Sequence, residues 1–321
     1  MLFPQLPKQK KQKKQQTLNN LYTEVIVMAN FTAQDVKDLR ERTGCGMMDC
    51  KKALTESNGD VEKAIEFLRE KGLAAAAKKA GRIAAEGLVD VYVNADATVG
   101  SVIEVYSETD FVAKNAEFKE FVAKLAQIVA EQNPADVDAL NALTYEGDMT
   151  VEAALKDKIL TIGENMKIRR FQRFEGKIAA YVHGGGRIGV LANIEGDDVA
   201  ATKEVCMHIA AINPLYLSQE VVPAEDVEKE NKIIIAQSKE DPKNASKPDN
   251  IIEKMVGGKI NKFYEQNCLL QQEFCVNPDY KVEKYLAEKG VKLVDFVRFE
   301  KGEGIEKRED NFADEVAGMI K

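Results

Sequence analysis

The sequence predicts an α+β fold built around a duplicated core with three antiparallel strands in each copy. Three observations predict it. Gly87-Leu-Val-Asp-Val-Tyr92-Val93 matches Gly176-Lys-Ile-Ala-Ala-Tyr181-Val182 at an offset of 89, and the same offset places Val99-Gly100-Ser101-Val102 on Ile188-Gly189-Val190-Leu191. In each copy apolar residues alternate around a turn, Asn94-Ala-Asp96 in the first and Gly184-Gly185-Gly186 in the second, which reads as a strand, a tight turn and a strand. A third strand closes each copy: Ile168–Glu175 ends Phe171-Gln-Arg173-Phe174-Glu175, and Val291–Glu300 ends Phe296-Val-Arg298-Phe299-Glu300, at an offset of 125.

The remaining elements follow in order. Thr32 with Asp35 three residues on resembles a capping pair, and Val36 and Leu39 keep helical spacing up to the breaker Thr43-Gly44. A second helix follows Gly46 with Met47, Cys50, Ala53 and Leu54 on one stripe. Asp60 is a good N-cap for a third, whose stripe of Val61, Ala64, Ile65 and Leu68 ends at Gly72. The alanine-rich tract from Leu73 to Glu86 has no stripe and reads as a partly helical linker. Each hairpin of the core is followed by a helix, carrying Phe118, Phe121, Val122 and Leu125 in the first copy and Val205, Ile209 and Ile212 in the second. Two more helices, Val227 to Lys239 and Ile251 to Tyr264, flank the turn-rich stretch from Asp241 to Asp249 and predict an antiparallel helical hairpin. Its apolar residues either pair within the hairpin or offer a surface to another subunit, such as a second copy in a homodimer. The resulting organisation is an extension at 1–28, a three-helix module at 29–73, a linker at 74–86, a first core subdomain at 87–175, a second at 176–301 with the hairpin inserted at about 224–264, and a C-terminal helical module at 302–321.

Composition excludes several functional classes. Among 321 residues, 45% hydrophobic and 31% charged, no run of about 18 apolar residues occurs, so no transmembrane helix is expected. Five cysteines without CxxC spacing read as reduced thiols, which favours a cytoplasmic location. With two histidines, His183 and His208, no metal centre and no cofactor are expected. The net charge of −8 hides an asymmetry: residues 1–28 carry five lysines against one acid, leaving 40 basic and 52 acidic residues in the body. An acidic body is a poor general nucleic-acid binder, so no direct nucleic-acid partner is expected. The extension reads as a disordered tail, or as translated upstream sequence ahead of a start at Met28, with a transit peptide or a lysine-rich nucleic-acid arm as lesser readings.

No catalytic constellation emerges. There is no GxxxxGK[ST], and Gly184-Gly185-Gly186 serves a left-handed turn inside a hairpin rather than a phosphate loop. Cys45 and Cys50 have no neighbouring histidine in sequence and read as core or surface thiols. His208 on an apolar helix reads as a satisfied core histidine; His183 stands at a glycine-rich turn beside Tyr181, where loops tend to carry function. The segment Ser107-Glu-Thr109-Asp110-Phe111-Val112-Ala-Lys-Asn115 joins a strand to a helix. On spacing alone Asp110 caps that helix and Phe111 staples its first turn to the sheet; the other reading makes Phe111 an anchor inserted into a partner, with Asp110 steering it.

Several ordered segments together resemble one family. Arg40-Glu-Arg-Thr-Gly-Cys-Gly-Met47-Met48-Asp-Cys-Lys-Lys-Ala-Leu54, Asn58-Gly-Asp60, Thr109-Asp-Phe-Val-Ala-Lys-Asn115, Gly163-Glu-Asn165 with Ile168-Arg-Arg170, His183-Gly184, Arg187-Ile-Gly-Val-Leu191 and Arg298-Phe-Glu300 look like the signature segments of bacterial elongation factor Ts. The match runs from Ala29 to Lys321. It implies a guanine-nucleotide exchange factor, not an enzyme, whose partner is the translational GTPase elongation factor Tu. It also implies that the three-helix module resembles a ubiquitin-associated domain and docks on the GTPase through Arg40, Met47 and Met48, an adaptable apolar contact. Thr109, Asp110, Phe111 and Val112 match the segment associated with dislodging Mg²⁺ from the partner, which favours the wedge reading of Phe111, and His183 with Gly184 match a further partner contact. The extension is foreign to the family's usual start, and the triple glycine is richer than many members show at that turn. A non-catalytic ubiquitin-like-binding or ribosome-associated adaptor is the alternative from another functional class.

Overall fold

The computed structural model describes residues 30–240 and 249–305; the expectations for the extension and for the C-terminal helical module from residue 306 onward lie outside them. In chain order the elements begin with α1 (Ala33–Thr43), α2 (Met47–Glu56), α3 (Val61–Lys79), β1 (Glu86–Val93), β2 (Val99–Ser107), α4 (Asp110–Lys114), α5 (Ala116–Gln132) and α6 (Val137–Ala142). The short strands β3 (Thr144–Glu146) and β4 (Met149–Thr150) follow, then α7 (Val151–Ile162), β5 (Lys167–Glu175), β6 (Lys177–His183) and β7 (Ile188–Glu195). The last are α8 (Val199–Ile212), α9 (Ala224–Glu240), α10 (Asp249–Asn267), α11 (Val282–Glu288) and β8 (Lys292–Glu300). They group into two compact units, one containing the residues up to Arg82 together with Glu152–Asn165, the other Ile83–Val151 and the chain from Met166 onward.

In the first unit the Thr32 hydroxyl accepts from the Asp35 backbone N–H at 3.2 Å while the Asp35 carboxylate accepts from the Thr32 N–H at 2.6 Å, the reciprocal capping box its spacing predicts. Asp60 caps α3 by accepting from Glu62 and Lys63. Leu39, Cys50, Ala53, Leu54, Ala64 and Leu68 form a small buried core. Two features differ from expectation. Met47, placed by its spacing on the apolar stripe of α2, is 55% exposed, so the buried stripe begins at Cys50. The third helix also runs past Gly72 to Lys79 instead of stopping there. Gly72 is a place of close approach: a Cβ on it would lie 3.5 Å from the Lys156 carbonyl oxygen and 3.7 Å from a Leu160 methyl of α7, and Leu160 packs on the core cluster.

In the second unit, two three-stranded antiparallel sheets have the orders β1-β2-β5 and β6-β7-β8, one for each copy of the repeat. Val89 and Val102 of the first sheet pack on Ile178, Leu191 and Phe299 of the second. α5 covers the first sheet and α8 the second, so the layers run helix, sheet, sheet, helix. Gly100 and Gly189, equivalent in the repeat, bring the sheets close: a Cβ on Gly100 would lie 2.6 Å from Ile178 Cγ2, and one on Gly189 2.6 Å from Val89 Cγ1. Both copies also use the same tie between sheet and helix. Arg173 of β5 donates to the Ala130 carbonyl near the end of α5 at 2.7 Å, and Arg298 of β8 to the Ala210 carbonyl near the end of α8 at 3.4 Å. Cationic donors suit these orphan carbonyls at a helix C-terminus. The arm made of α9 and α10 is a helix pair joined through buried Ile234 and Val256, with Ile235 and Ile260 packed beside them.

His208 is the fully buried histidine of α8. Its Nε2 lies 2.8 Å from Gln272 Oε1, and the amide nitrogen of Gln272 donates to the Gln266 carbonyl at 2.7 Å, so Nε2 carries the hydrogen. Nδ1 accepts from the Cys275 backbone N–H at 3.2 Å. A second proton would have to enter at Nδ1 against that N–H. Burial accordingly lowers the His208 pKa from its usual 6.5, with the Gln272 hydrogen bond opposing in part. The unfolded chain therefore binds the proton more readily, and stability present above about pH 6.5 declines as pH falls toward the lowered folded value, at most about 1.4 kcal/mol per pH unit. Thermal unfolding followed from pH 7.5 to 5.5 is expected to show this decline, and His208→Gln to flatten it. An equal slope in the variant would remove His208 from the acid response.

Candidate functional site

The capping of α4 determines how Asp110 and Phe111 are presented. Thr109 is extended, with φ −127° and ψ 157°, and its hydroxyl accepts from the Val112 N–H at 3.5 Å, so Thr109 rather than Asp110 is the N-cap. Asp110 instead pairs with Lys114 one turn on at 2.6 Å. That hydrogen bond, more than any other cause, holds the Asp110 carboxyl below its ordinary pKa. Phe111 does not staple the helix to the sheet: it is 79% exposed, the most exposed large apolar side chain among the described residues. The other face of the same turn anchors it, with Val112 and Ala113 buried. Ser107, fully buried at the end of β2, donates to the Thr109 carbonyl at 3.0 Å and sets the path of the loop.

His183 ends β6, exposed, with its Nδ1 3.1 Å from the Tyr181 hydroxyl. The triple-glycine turn beside it has φ values of +60°, +64° and +98°. Its last member, Gly186, is buried against β1: its carbonyl accepts from Val89 N–H at 2.8 Å. The following Arg187 accepts at its carbonyl from the Lys301 N–H at 2.9 Å, and the Lys301 ammonium pairs with Glu86, whose register partner on β2 is Ser107. The His183 turn and the Thr109–Val112 segment therefore stand at one end of the stacked sheets, linked through Lys301. Sequence reasoning singled out both segments but not Lys301 or Glu86.

Arg40, Met47 and Met48 belong to the first unit. All three are exposed, Met48 by 74%. The two methionines occupy the first positions of α2, before its buried stripe starts, and Gly44 N–H bonds the Arg40 carbonyl to close α1. Among the described residues no group of three His, Cys, Asp or Glu side chains is placed to hold a metal ion. Cys45 and Cys50 are buried, and desolvation pushes the Cys45 thiol up to about 11, away from the thiolate that nucleophilic chemistry needs. Among the described residues no helix is long and apolar enough to cross a membrane.

The fold and these surfaces define a duplicated α+β protein that holds large apolar side chains out to solvent, Phe111 and Met48 the most exposed among the described residues. The family model for elongation factor Ts matches residues 108–303. Proteins named elongation factor Ts from Clostridium perfringens strains SM101 and 13 are each 52% identical to this chain over 303 residues, covering 90% of it and 99% of their own length. The chain belongs to the elongation factor Ts family and is a translation elongation factor.

Proposed function

We propose that the chain is a cytoplasmic guanine-nucleotide exchange factor for elongation factor Tu and makes or breaks no covalent bond. The observation that carries this reading is the presentation of Phe111, a large apolar ring set almost wholly in solvent on a capped, internally braced turn. Exposing such a ring to water is unfavourable in the free protein, so its natural place is a pocket in a partner. In a P-loop GTPase, Mg²⁺ bridges phosphate oxygens and holds the nucleotide. A protein that binds the metal-free, nucleotide-poor form more tightly must weaken the nucleotide by the same factor, because binding free energies are reciprocal. In this reading Thr109 to Val112 wedge near the partner's metal site, with Phe111 as anchor and the Asp110 carboxylate aimed by Lys114. His183 and Gly184 add a second contact at the same end of the sheets, and Arg40, Met47 and Met48 dock the N-terminal helices, a three-helix unit resembling a ubiquitin-associated domain.

The test is the dissociation of a fluorescent GDP from elongation factor Tu, chased with excess unlabelled GDP, at increasing concentrations of the full chain. A large acceleration that saturates is the expected result. Binding of the two proteins with the release rate left at its spontaneous value would overturn the exchange reading and select a non-catalytic adaptor.

A further inference from the structure

β2 and β5 pair in register until a bulge between Glu104 and Val105, where Glu104 faces Arg170 and Val105 faces Ile168, leaving Arg169 as the extra residue. Successive side chains of a regular strand point to opposite faces, and a bulge breaks that alternation. Here it lets two consecutive arginines reach one carboxylate. Glu104 is fully buried; it accepts from Arg169 Nη1 at 3.1 Å and from Arg170 Nε at 2.7 Å. A third donor arrives from the far end of the chain, the Gly302 backbone N–H at 3.0 Å. Arg170 also pairs with Glu303 at 2.9 Å and lies over the Phe299 ring, 4.1 Å from its centre. The passage is fitted to glycine: Gly302 has φ +72°, and a Cβ there would lie 2.7 Å from the Ala85 carbonyl oxygen. The segment that leaves β8 of the second sheet is thus captured by the first sheet.

A buried ion pair is weak evidence for stability and better evidence for a specified arrangement. Two arrangements depend on this one. Glu104 lies three residues before Ser107, whose hydroxyl sets the Thr109 carbonyl. Capture of Gly302 also places Lys301, which holds Glu86 opposite Ser107 and lowers the Asp110 pKa as a minor contributor. We infer that Glu104, through Arg169, Arg170 and Gly302, is a positioning residue that latches the segment after β8 to the first sheet and so fixes the Thr109–Phe111 turn for its action on the partner. The inference rests on the exchange reading proposed above.

Two full-length variants test it from opposite sides. Glu104→Gln keeps the shape and an acceptor for Gly302 but removes the charge that gathers the arginines; Gly302→Ala leaves Glu104 intact and blocks the seat of the tail. Each is expected to lower the release rate of fluorescent GDP at saturating factor about tenfold, as a misplaced functional group does, with the half-saturating concentration unchanged. Hydrogen exchange of the amides from Ser107 to Val112 is expected to speed up about tenfold in both, and the double variant is to show less than the combined effect. If the wild-type chain fails to accelerate release, the exchange reading fails, and the hydrogen-exchange arm still judges the latch. Lower melting temperatures with unchanged exchange protection at 107–112 and unchanged saturating rate would overturn it, leaving an ion pair that serves stability alone. If Glu104→Gln does not fold, Gly302→Ala decides by the same two readouts.

Discussion

Replacing Phe111 by alanine is expected to slow factor-stimulated GDP release from elongation factor Tu about tenfold or more, because a packed aromatic anchor contributes about 2 kcal/mol, roughly thirtyfold in an equilibrium constant. The fold is expected to survive. At 79% exposure the ring gives the free protein little packing to lose, and surface substitutions of that kind usually change stability by about 0.5 kcal/mol or less. The turn beneath it is held by Val112 and Ala113 on the buried side, by the Thr109 cap and by the Asp110–Lys114 pair, none of which touches the ring's role. The measurement is the stimulated dissociation rate, taken beside circular dichroism and a thermal melt. Unaltered release from a normally folded variant would take Phe111 out of the mechanism.

A large loss of stability is expected at Gly186. Its φ of +98° lies where an L side chain is strained, and a Cβ there would sit 1.9 Å from Leu88 Cδ1, 2.9 Å from Leu88 Cγ and 3.2 Å from the Val89 carbonyl oxygen. Leu88 is 4% exposed, so it has little room to swing aside. Backbone strain of about 1–2 kcal/mol and overpacking of about 1–3 kcal/mol together predict that Gly186→Ala destabilises by about 2–5 kcal/mol. Gly185 is the control. It shares the left-handed backbone, with φ +64°, but a Cβ on it meets nothing within 4 Å, and asparagine tolerates that conformation, so Gly185→Asn is expected to be close to neutral. Urea unfolding with an unchanged dependence on denaturant compares the two. A loss below about 0.5 kcal/mol for Gly186→Ala would show that the turn and β1 yield to one another.

What was legible in the sequence was what local chemistry and repetition determine. Thr32 with Asp35, and Asp60, announce their helices because a cap needs only neighbours within three residues. The strands announce themselves twice, through the offset that carries Gly87 to Gly176 and Gly100 to Gly189. The two-faced packing did not show. Gly100 and Gly189 looked like ordinary strand positions, yet they allow the sheets to meet, a relation between residues distant in sequence. Gly72 looked like a helix stop for the same reason, since its partner helix lies some eighty residues on. At the candidate site the motif from Thr109 to Asn115 was plain, but the competition for the N-cap was not. Aspartate is on average the better cap of the two, yet the structure gives the cap to Thr109 and the ion pair to Asp110. The paired arginines were visible as part of a signature, while the bulge that turns both to one carboxylate belongs to strand pairing and leaves no local mark.

The helical arm has a consequence for how the chain assembles. It lies inside the longer of two closures: β2 meets β5 with Val99 opposite Glu175, whereas β7 meets β8 with Ile188 opposite Glu300 and the arm in between. Loop-closure entropy grows only with the logarithm of length, so the longer closure is less favourable by a mere ~0.3 kcal/mol. The arm is thus nearly neutral to the equilibrium of the second sheet, and its length is free to change as long as its own seam of Ile234 and Val256 is kept. Timing is a different matter. During synthesis the first sheet has all its strands once residue 175 has emerged, while the second waits for a strand that comes more than a hundred residues later. Through that interval the partly formed second sheet leaves the paired edge of β7 open, and Ala192 and Ile194, buried in the finished protein, await β8. The arm therefore slows completion of the second sheet without weakening it, and lengthens the period in which the open edge of β7 is exposed to aggregation.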